Sequence, residues 1–311
     1  MAEHRPRDDA AKPILIVGSV AFDSVETPHG RADMALGGSA SYAGIAASYF
    51  AQPRVVGIVG DDFEDHHMRK LSDHGVDVRG IERADGKTFH WKGRYHENMK
   101  DRDTLETSLN VFQRFDPVIP EAYRKTQYVL LGNIDPALQL SVLDQAGGGA
   151  QFVGMDTMNF WINTARDPLI EVLKRIDLLF INDEEAMQLA DEWSVAAAAE
   201  RLLRMGPKFV VIKRGEHGAV LFGPKLTLFV PAVLLSNVVD PTGAGDTFAG
   251  GFMGQLSRVG GLDRSALASA LTWGTVMASF TVEAFSVDGI CGLAPEAIAD
   301  RRKTLIEMVR Y

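Results

Sequence analysis

Six short, almost uninterrupted apolar runs constrain this chain more than any other feature. They are residues 14–20 (ILIVGSV), 54–59 (RVVGIV), 128–131 (YVLL), 152–155 (FVGM), 178–181 (LLFI) and 209–212 (FVVI). A strand with one wet face alternates apolar and polar side chains. These runs do not alternate, so each is expected to be buried on both faces, as in a parallel sheet. Helix-like stretches at 39–50, 63–74, 184–191 and 195–205 stand between several of them. Strands alternating with helices predict an α/β fold with a doubly wound, mainly parallel sheet. The last third changes character. Residues 246–257, 264–280 and 295–309 read as helices, with Pro295 where a first-turn proline is tolerated. They are expected to pack on the sheet as a bundle.

Residues 87–115 break this rhythm. Phe89, Trp91 and Gly93 alternate with His90, Lys92 and Arg94, which is the pattern of a one-sided strand. A second strand is expected at 107–112, with a charged turn at 97–103 between the two. The pair predicts a small antiparallel flap beside the main sheet. The alternating aromatics Phe89, Trp91 and Tyr95 suit stacking on a sugar face or a nucleobase, and equally suit packing within the flap or a dimer contact. Residues 1–13 read as a charged tail without the apolar centre of a signal peptide, and 14–311 as one domain. Gly147 to Gly149 reads as a loop.

The chain has 311 residues with a formal net charge of −9, and a broad nucleic-acid surface would need the opposite sign. The single cysteine, Cys291, allows no internal disulfide and fits a reducing compartment. No apolar run approaches the roughly 18 residues that span a bilayer. The expectation is a soluble, cytoplasmic protein with no membrane or nucleic-acid partner.

The most informative stretch for chemistry is 237–252, NVVDPTGAGDTFAGGF. Two glycines flank Ala244, then Asp246 opens a helix rich in small residues. Glycine lets a backbone turn tightly and approach a ligand. Free amides at a helix N-terminus suit phosphate or a developing anion. Asp246, one residue further in, is placed to take a proton from a hydroxyl brought to that site. A base beside an anion hole is what phosphoryl transfer to an alcohol requires. Taken alone, Gly243 and Gly245 could serve only a turn and Asp246 only a helix cap.

DPTGAGDTFAGGF resembles the C-terminal signature of the ribokinase family, also called the PfkB carbohydrate kinases. Residues 36–47 (LGGSASYAGIAA) resemble the family's N-terminal Gly-Gly signature and are followed by VGIVGDD at 56–62. Asn182-Asp183-Glu184-Glu185 matches its NxxE motif, and KRGEHG at 213–218 resembles a glycine-bearing turn near the nucleotide. The four matches occur in family order and reach from about residue 14 to the final helix.

The resemblance implies a three-layer α/β/α ribokinase-like core with a small β lid, built here from segments near 23–36 and 85–115. It implies ATP as donor and Mg2+ as cofactor, Asp246 as base, and Gly243, Ala244 and Gly245 as the anion hole. Asn182 and Glu185 match the motif that organises Mg2+, with Glu185 acting through water; Lys213, Gly215 and Gly218 fall to the nucleotide. Asp23 matches an aspartate that binds substrate hydroxyls, and a carboxylate accepting two such bonds suits a diol. Gly37 and Gly38 would let the sugar approach the backbone. Asn133, just beyond a buried strand, is a further substrate candidate, and Asp156 is expected near the phosphates. Asp240 and Thr242 match positions that hold a monovalent cation such as K+ in some members, although 281–286 fits that site poorly. A homodimer formed through the lid is also implied.

One position departs from the family. An asparagine that contacts the sugar is replaced by Tyr42, which is bulkier and carries one hydroxyl. The leading expectation is transfer of the γ-phosphoryl group to a hydroxymethyl group of a small sugar. A nucleoside kinase of the same fold is the alternative, and a non-catalytic ligand-binding regulator is the remote one. A nicotinamide oxidoreductase would need GxGxxG after the first strand, where the chain reads GSVAFD.

Overall fold

A computed structural model describes residues 11–309; residues 1–10 of the expected tail and residues 310–311 lie outside the described residues. The main sheet contains β1 (Ile14–Val17), β4 (Pro53–Val59), β5 (Asp77–Arg83), β8 (Tyr128–Leu131), β9 (Phe152–Asp156), β10 (Leu178–Asn182), β11 (Phe209–Lys213), β12 (Ala219–Gly223) and β13 (Leu226–Val230). Their order is β13-β12-β11-β10-β9-β8-β1-β4-β5. Every pairing from β5 to β11 is parallel, and the β12–β13 hairpin adds an antiparallel edge. The apolar runs predicted the central strands. They missed β5, whose sequence DVRGIER is charged because it lies at the sheet edge, and they missed the β12–β13 hairpin.

The sheet divides two cores. In β1, Ile14 and Ile16 face one cluster while Leu15 and Val17 face the other. This two-residue alternation between two dry faces explains why the strands read as continuous apolar runs. One face carries α1 (Ser39–Ser48), α2 (Asp65–Asp73), α8 (Ala244–Val259), α9 (Arg264–Thr281) and α10 (Pro295–Glu307). The other carries α3 (Pro136–Ala146), α5 (Arg166–Leu173), α6 (Asp183–Ala190) and α7 (Val195–Met205), with the short α4 (Asn159–Thr164) preceding α5. The three expected C-terminal helices are present, and Pro295 is in the first turn of α10. Among the described residues, no helix is long and apolar enough to cross a membrane.

The expected strand over 14–20 ends at Val17. Gly18 turns the chain against the start of α1, where any side chain would meet Ser39 Oγ and Ala40. Ser19 N–H donates to Ser39 Oγ at 3.1 Å, and Ser39 N–H donates to Ser19 Oγ at 2.9 Å. This reciprocal pair fixes the exit of β1. The chain then enters a separate four-stranded lid of β2 (Ala21–Thr27), β3 (Gly30–Gly37), β6 (His90–Tyr95) and β7 (Arg102–Ser108), in the order β3-β2-β6-β7. The lid is not wholly antiparallel: β2 and β6 run parallel, because the chain between them passes through the core as α1, β4, α2 and β5. The second flap strand also sits earlier than expected. It stops before Asn110, whose left-handed φ of 51° turns the backbone while its amide donates to Thr88 O at 2.9 Å.

α1 and α8 approach so closely that their backbones leave no room for side chains between them. A side chain at Gly250 would collide with the backbone of Ala43, and one at Gly254 would lie 3.0 Å from Ala47 Cα. The small-residue sequence of α8 is thus a packing requirement. Replacing Gly250 with Val is expected to destabilise the fold by about 1–3 kcal/mol or more through overpacking. Urea unfolding would show this as a lower midpoint, whereas Gly148→Ala, with open space around it and an ordinary backbone conformation, supplies a comparison that involves no steric clash.

Candidate active site

The sheet order reverses at β1. From it the chain first builds outwards to β4 and β5, and later returns to β8 on the opposite side. In such sheets ligands bind beyond the C-terminal strand ends at this switch point. The N-termini of α1 and α8 meet there, and most of the residues singled out in the sequence converge on them.

Asp23, on β2, is 7% exposed. Its carboxylate fills the space that a side chain at Gly37 would occupy, and the Gly38 N–H donates to it. The Gly-Gly pair therefore houses the Asp23 carboxylate, which leaves less room for a ligand at that backbone than the sequence suggested. Burial raises the Asp23 carboxyl to about 7, with further upward pressure from Asp240 and Asp246.

Gly243 precedes α8 in the left-handed region, with φ 76°, and no side chain caps the helix. Asp135, Asn182, Ser194 and Asp263 do cap α3, α6, α7 and α9. The first amides of α8 are thus left available to an anion. A side chain at Gly243 would collide with the Tyr42 ring. Tyr42 is 1% exposed, and its hydroxyl is buried without a hydrogen-bond partner. The ring backs the turn, while the phenol faces the field of Asp23, Asp240 and Asp246; burial and these acids hold it well above its ordinary value.

Asp246 lies in the first turn of α8. Burial and Asp156 push its carboxyl up to about 7, while Lys213 and Arg102 pull it down. Lys213, at the end of β11, pairs with Asp156 Oδ2 at 2.7 Å, and its ammonium would sit 3.0 Å from a Cβ at Gly245. Thr157 N–H donates to Asp156 Oδ1 at 2.9 Å, so both oxygens of this carboxylate are engaged. The structure therefore places a cation beside the Gly243–Gly245 turn, with Asp156 paired to it.

Asn182 and Glu185 form a capping box on α6. The Asn182 side chain accepts from Glu185 N–H at 2.7 Å, and Glu185 Oε2 accepts from Asn182 N–H at 3.2 Å. Burial raises the Glu185 carboxyl, an effect opposed by Lys213. Of the turn glycines, Gly215 has open space around it, while Gly218 is pressed against Val230 and Pro231. Gly218 thus serves the β12–β13 edge, and Gly215 turns the chain with φ 53°. Asp240 is 1% exposed; Oδ1 accepts from Thr242 N–H at 2.9 Å, and Oδ2 is buried without a partner. Such an orphaned carboxylate oxygen fits a cation. Asn133, beyond β8, accepts from the Trp161 indole N–H at 2.9 Å.

The lid adds a residue that sequence reasoning missed. The Arg102 guanidinium lies 5.4 Å from the centre of the Trp91 ring and donates to the Tyr95 hydroxyl at 3.3 Å. Its charge lowers the carboxyl values of Asp23, Asp240 and Asp246. Nothing in KDRD distinguishes it from its charged neighbours. Trp91 packs across Gly93, Phe89 stacks on Phe112 at 5.3 Å, and Tyr95 receives a hydrogen bond from Thr242 Oγ1 at 3.3 Å. These aromatics serve lid packing and its link to the core. Lys100, in the turn after β6, pairs with Glu216 at 2.6 Å across the cleft. Both side chains are exposed, so the pair contributes little to stability.

The model of the pfkB family carbohydrate kinases matches residues 13–290 of this chain. The chain is 33% identical over 252 residues to the cytidine kinase of Thermococcus kodakarensis, an alignment covering 79% of this chain and 88% of that protein. The nucleoside kinase of Burkholderia thailandensis in complex with inosine superposes with a TM-score of 0.79 at 19% identity, covering 94% and 99% of the two chains. The ribokinase of Cryptococcus neoformans in complex with ADP gives 0.76 at 20% identity, covering 94% and 100%. At these identities the two structures show a shared fold.

The buried acids should titrate together near neutrality. Carboxyl 13C NMR, with Asp23→Asn and Asp246→Asn for assignment, is expected to show two coupled midpoints near 7. Arg102→Met removes a cation that favours the ionised forms and should move both midpoints upwards; unchanged midpoints would remove Arg102 from the electrostatics of the cleft.

Proposed function

We propose that this chain, which belongs to the pfkB family of carbohydrate kinases, phosphorylates a hydroxymethyl group of a nucleoside. It is a phosphotransferase acting on a hydroxyl group, and its family binds ATP. The observation that carries the choice of acceptor is the 33% identity to a cytidine kinase along 79% of the chain. A small sugar, the leading expectation from the sequence, uses the same base and anion hole and differs only in what occupies the distal end of the pocket.

In this reading the Asp23 carboxylate accepts hydrogen bonds from two hydroxyls of the sugar ring. Asp246 takes the proton of the attacking hydroxyl. The amides of Gly243, Ala244 and Gly245 hold the charge on the moving phosphoryl group, with the Lys213 ammonium beside them. Removing one such donor typically raises a barrier by about 3–4 kcal/mol. Arg102 adds charge from the lid, and the lid excludes water that would compete for the phosphoryl group. Tyr42 holds the anion-binding turn in place from behind and turns its hydroxyl toward the acceptor.

Mg2+ fits the donor set here. It takes few carboxylates and keeps waters, so Glu185 beside the nucleotide phosphates is sufficient protein ligation. When bound, it would neutralise phosphate charge. Asn182 fixes Glu185 through the capping box, and Lys213 with Gly215 borders the nucleotide. The unpartnered Oδ2 of Asp240, with Thr242, suits a monovalent cation such as K+. We further place the enzyme in the cytoplasm as a homodimer, because the lid sheet ends in two solvent-facing strands, β3 and β7, that could pair with a second copy. Light scattering should then report twice the monomer mass, and a monomer at working concentration would overturn the dimer.

Asp246→Asn tests the central assignment. General bases typically contribute about 10²–10⁴-fold, so kcat should fall at least 10²-fold while ATP still binds. For the wild type, kcat/KM should fall as pH drops through about 7, because Asp246 and Asp23 must be ionised to act and both carboxyls are raised to about 7. An acid limb near 4 would contradict the assignment.

A further inference from the structure

Asn133 and Trp161 follow the ends of neighbouring strands, β8 and β9, at the rim of the cleft. Gln139 locks those ends together: its amide nitrogen donates to Gly132 O at 2.9 Å and to Asp156 O at 3.2 Å. Gly132 in turn lies against Ser39 and Gly18, at the switch point where Asp23 and Asp246 meet. The orientation of the Asn133 amide follows from chemistry. An indole nitrogen can only donate, so the group facing Trp161 at 2.9 Å must be the amide oxygen. The amide nitrogen, with its two hydrogens, points away from Trp161. Asn133 is half-buried, so that nitrogen is left open to a ligand. No hydrogen bond engages it among the described residues. Phe160 packs edge-on against Trp161 at 4.8 Å and is 52% exposed, so an open aromatic surface continues from the Asn133–Trp161 pair.

We propose that Asn133, locked by Trp161, reads a hydrogen-bond acceptor on the base of the nucleoside, such as a ring carbonyl oxygen or an unprotonated ring nitrogen. Trp161 is a positioning residue, and with Phe160 it walls the base. This inference rests on the nucleoside reading. Two amide hydrogens match the adjacent acceptors O2 and N3 of a cytosine-type ring.

The test uses the full-length enzyme with ATP and Mg2+, and compares cytidine, 3-deazacytidine and ribose. Asn133→Asp keeps an oxygen for the Trp161 N–H but replaces the donors with an acceptor. The KM for cytidine should rise about tenfold or more, the KM for ATP should hold, and kcat should fall by less than KM rises. Trp161→Phe frees the amide to turn, so the preference of the wild type for cytidine over 3-deazacytidine should shrink toward one. An unchanged cytidine KM in Asn133→Asp would overturn the reader and leave the nucleoside reading standing. So would an equal rise in the KM for ATP, since that reports general damage to the cleft. Wild-type enzyme that phosphorylates ribose but none of the nucleosides would overturn the nucleoside reading, and this inference with it.

Discussion

The close approach of α1 and α8 is the constraint on which the rest of the cleft depends. Ala43 meets Gly250 and Ala47 meets Gly254, so the two backbones lie nearer than side chains would allow. That packing sets the N-termini of both helices side by side at one edge of the sheet. It brings the Gly37–Gly38 turn, with the Asp23 carboxylate in it, next to the Gly243–Gly245 turn and Asp246. Tyr42 on α1 fills the space left by Gly243, so the glycine turn that opens one helix is supported by the ring of the other. The same contacts that bury the core therefore also bring the acids together.

Bringing them together has an electrostatic consequence. Asp23, Asp240 and Asp246 share a poorly hydrated space, and each carboxyl is raised, chiefly by burial. Two cations balance them from opposite sides. Lys213 comes from the core and is held by Asp156; Arg102 comes from the lid and is held over Trp91. The lid is therefore more than a cover. Its position sets part of the field around Asp246, and the Tyr95–Thr242 contact ties that position to the core.

Several motif residues do two tasks. Asn182 and Glu185 cap α6 reciprocally, and that cap holds the Glu185 carboxylate at the cleft. Gly37 makes room for Asp23, while Gly38, with φ 89°, turns the chain. A motif read as a set of ligand contacts thus also proves to be the local scaffold that holds them, because a side chain can be aimed only if its own backbone is fixed.

The sequence by itself determined the layers and the residues that open the helices at the cleft. Apolar runs such as YVLL and FVVI required a sheet covered on both faces, and DPTGAGDTFAGGF required a tight turn opening a helix beside an acid. Both signals are local, since each is a property of consecutive residues. The lid was half legible: the alternation from Phe89 to Tyr95 marked β6, but β7 was displaced by the turn at Asn110, and the parallel pairing of β2 with β6 depends on a path through the core. The capture of Asp23 by Gly37, the support of Gly243 by Tyr42, the reach of Arg102 from an ordinary charged turn and the locking of Asn133 by Trp161 were decided only by the tertiary structure. Each joins residues remote in the chain, and no periodicity records a contact that exists only once two elements have packed.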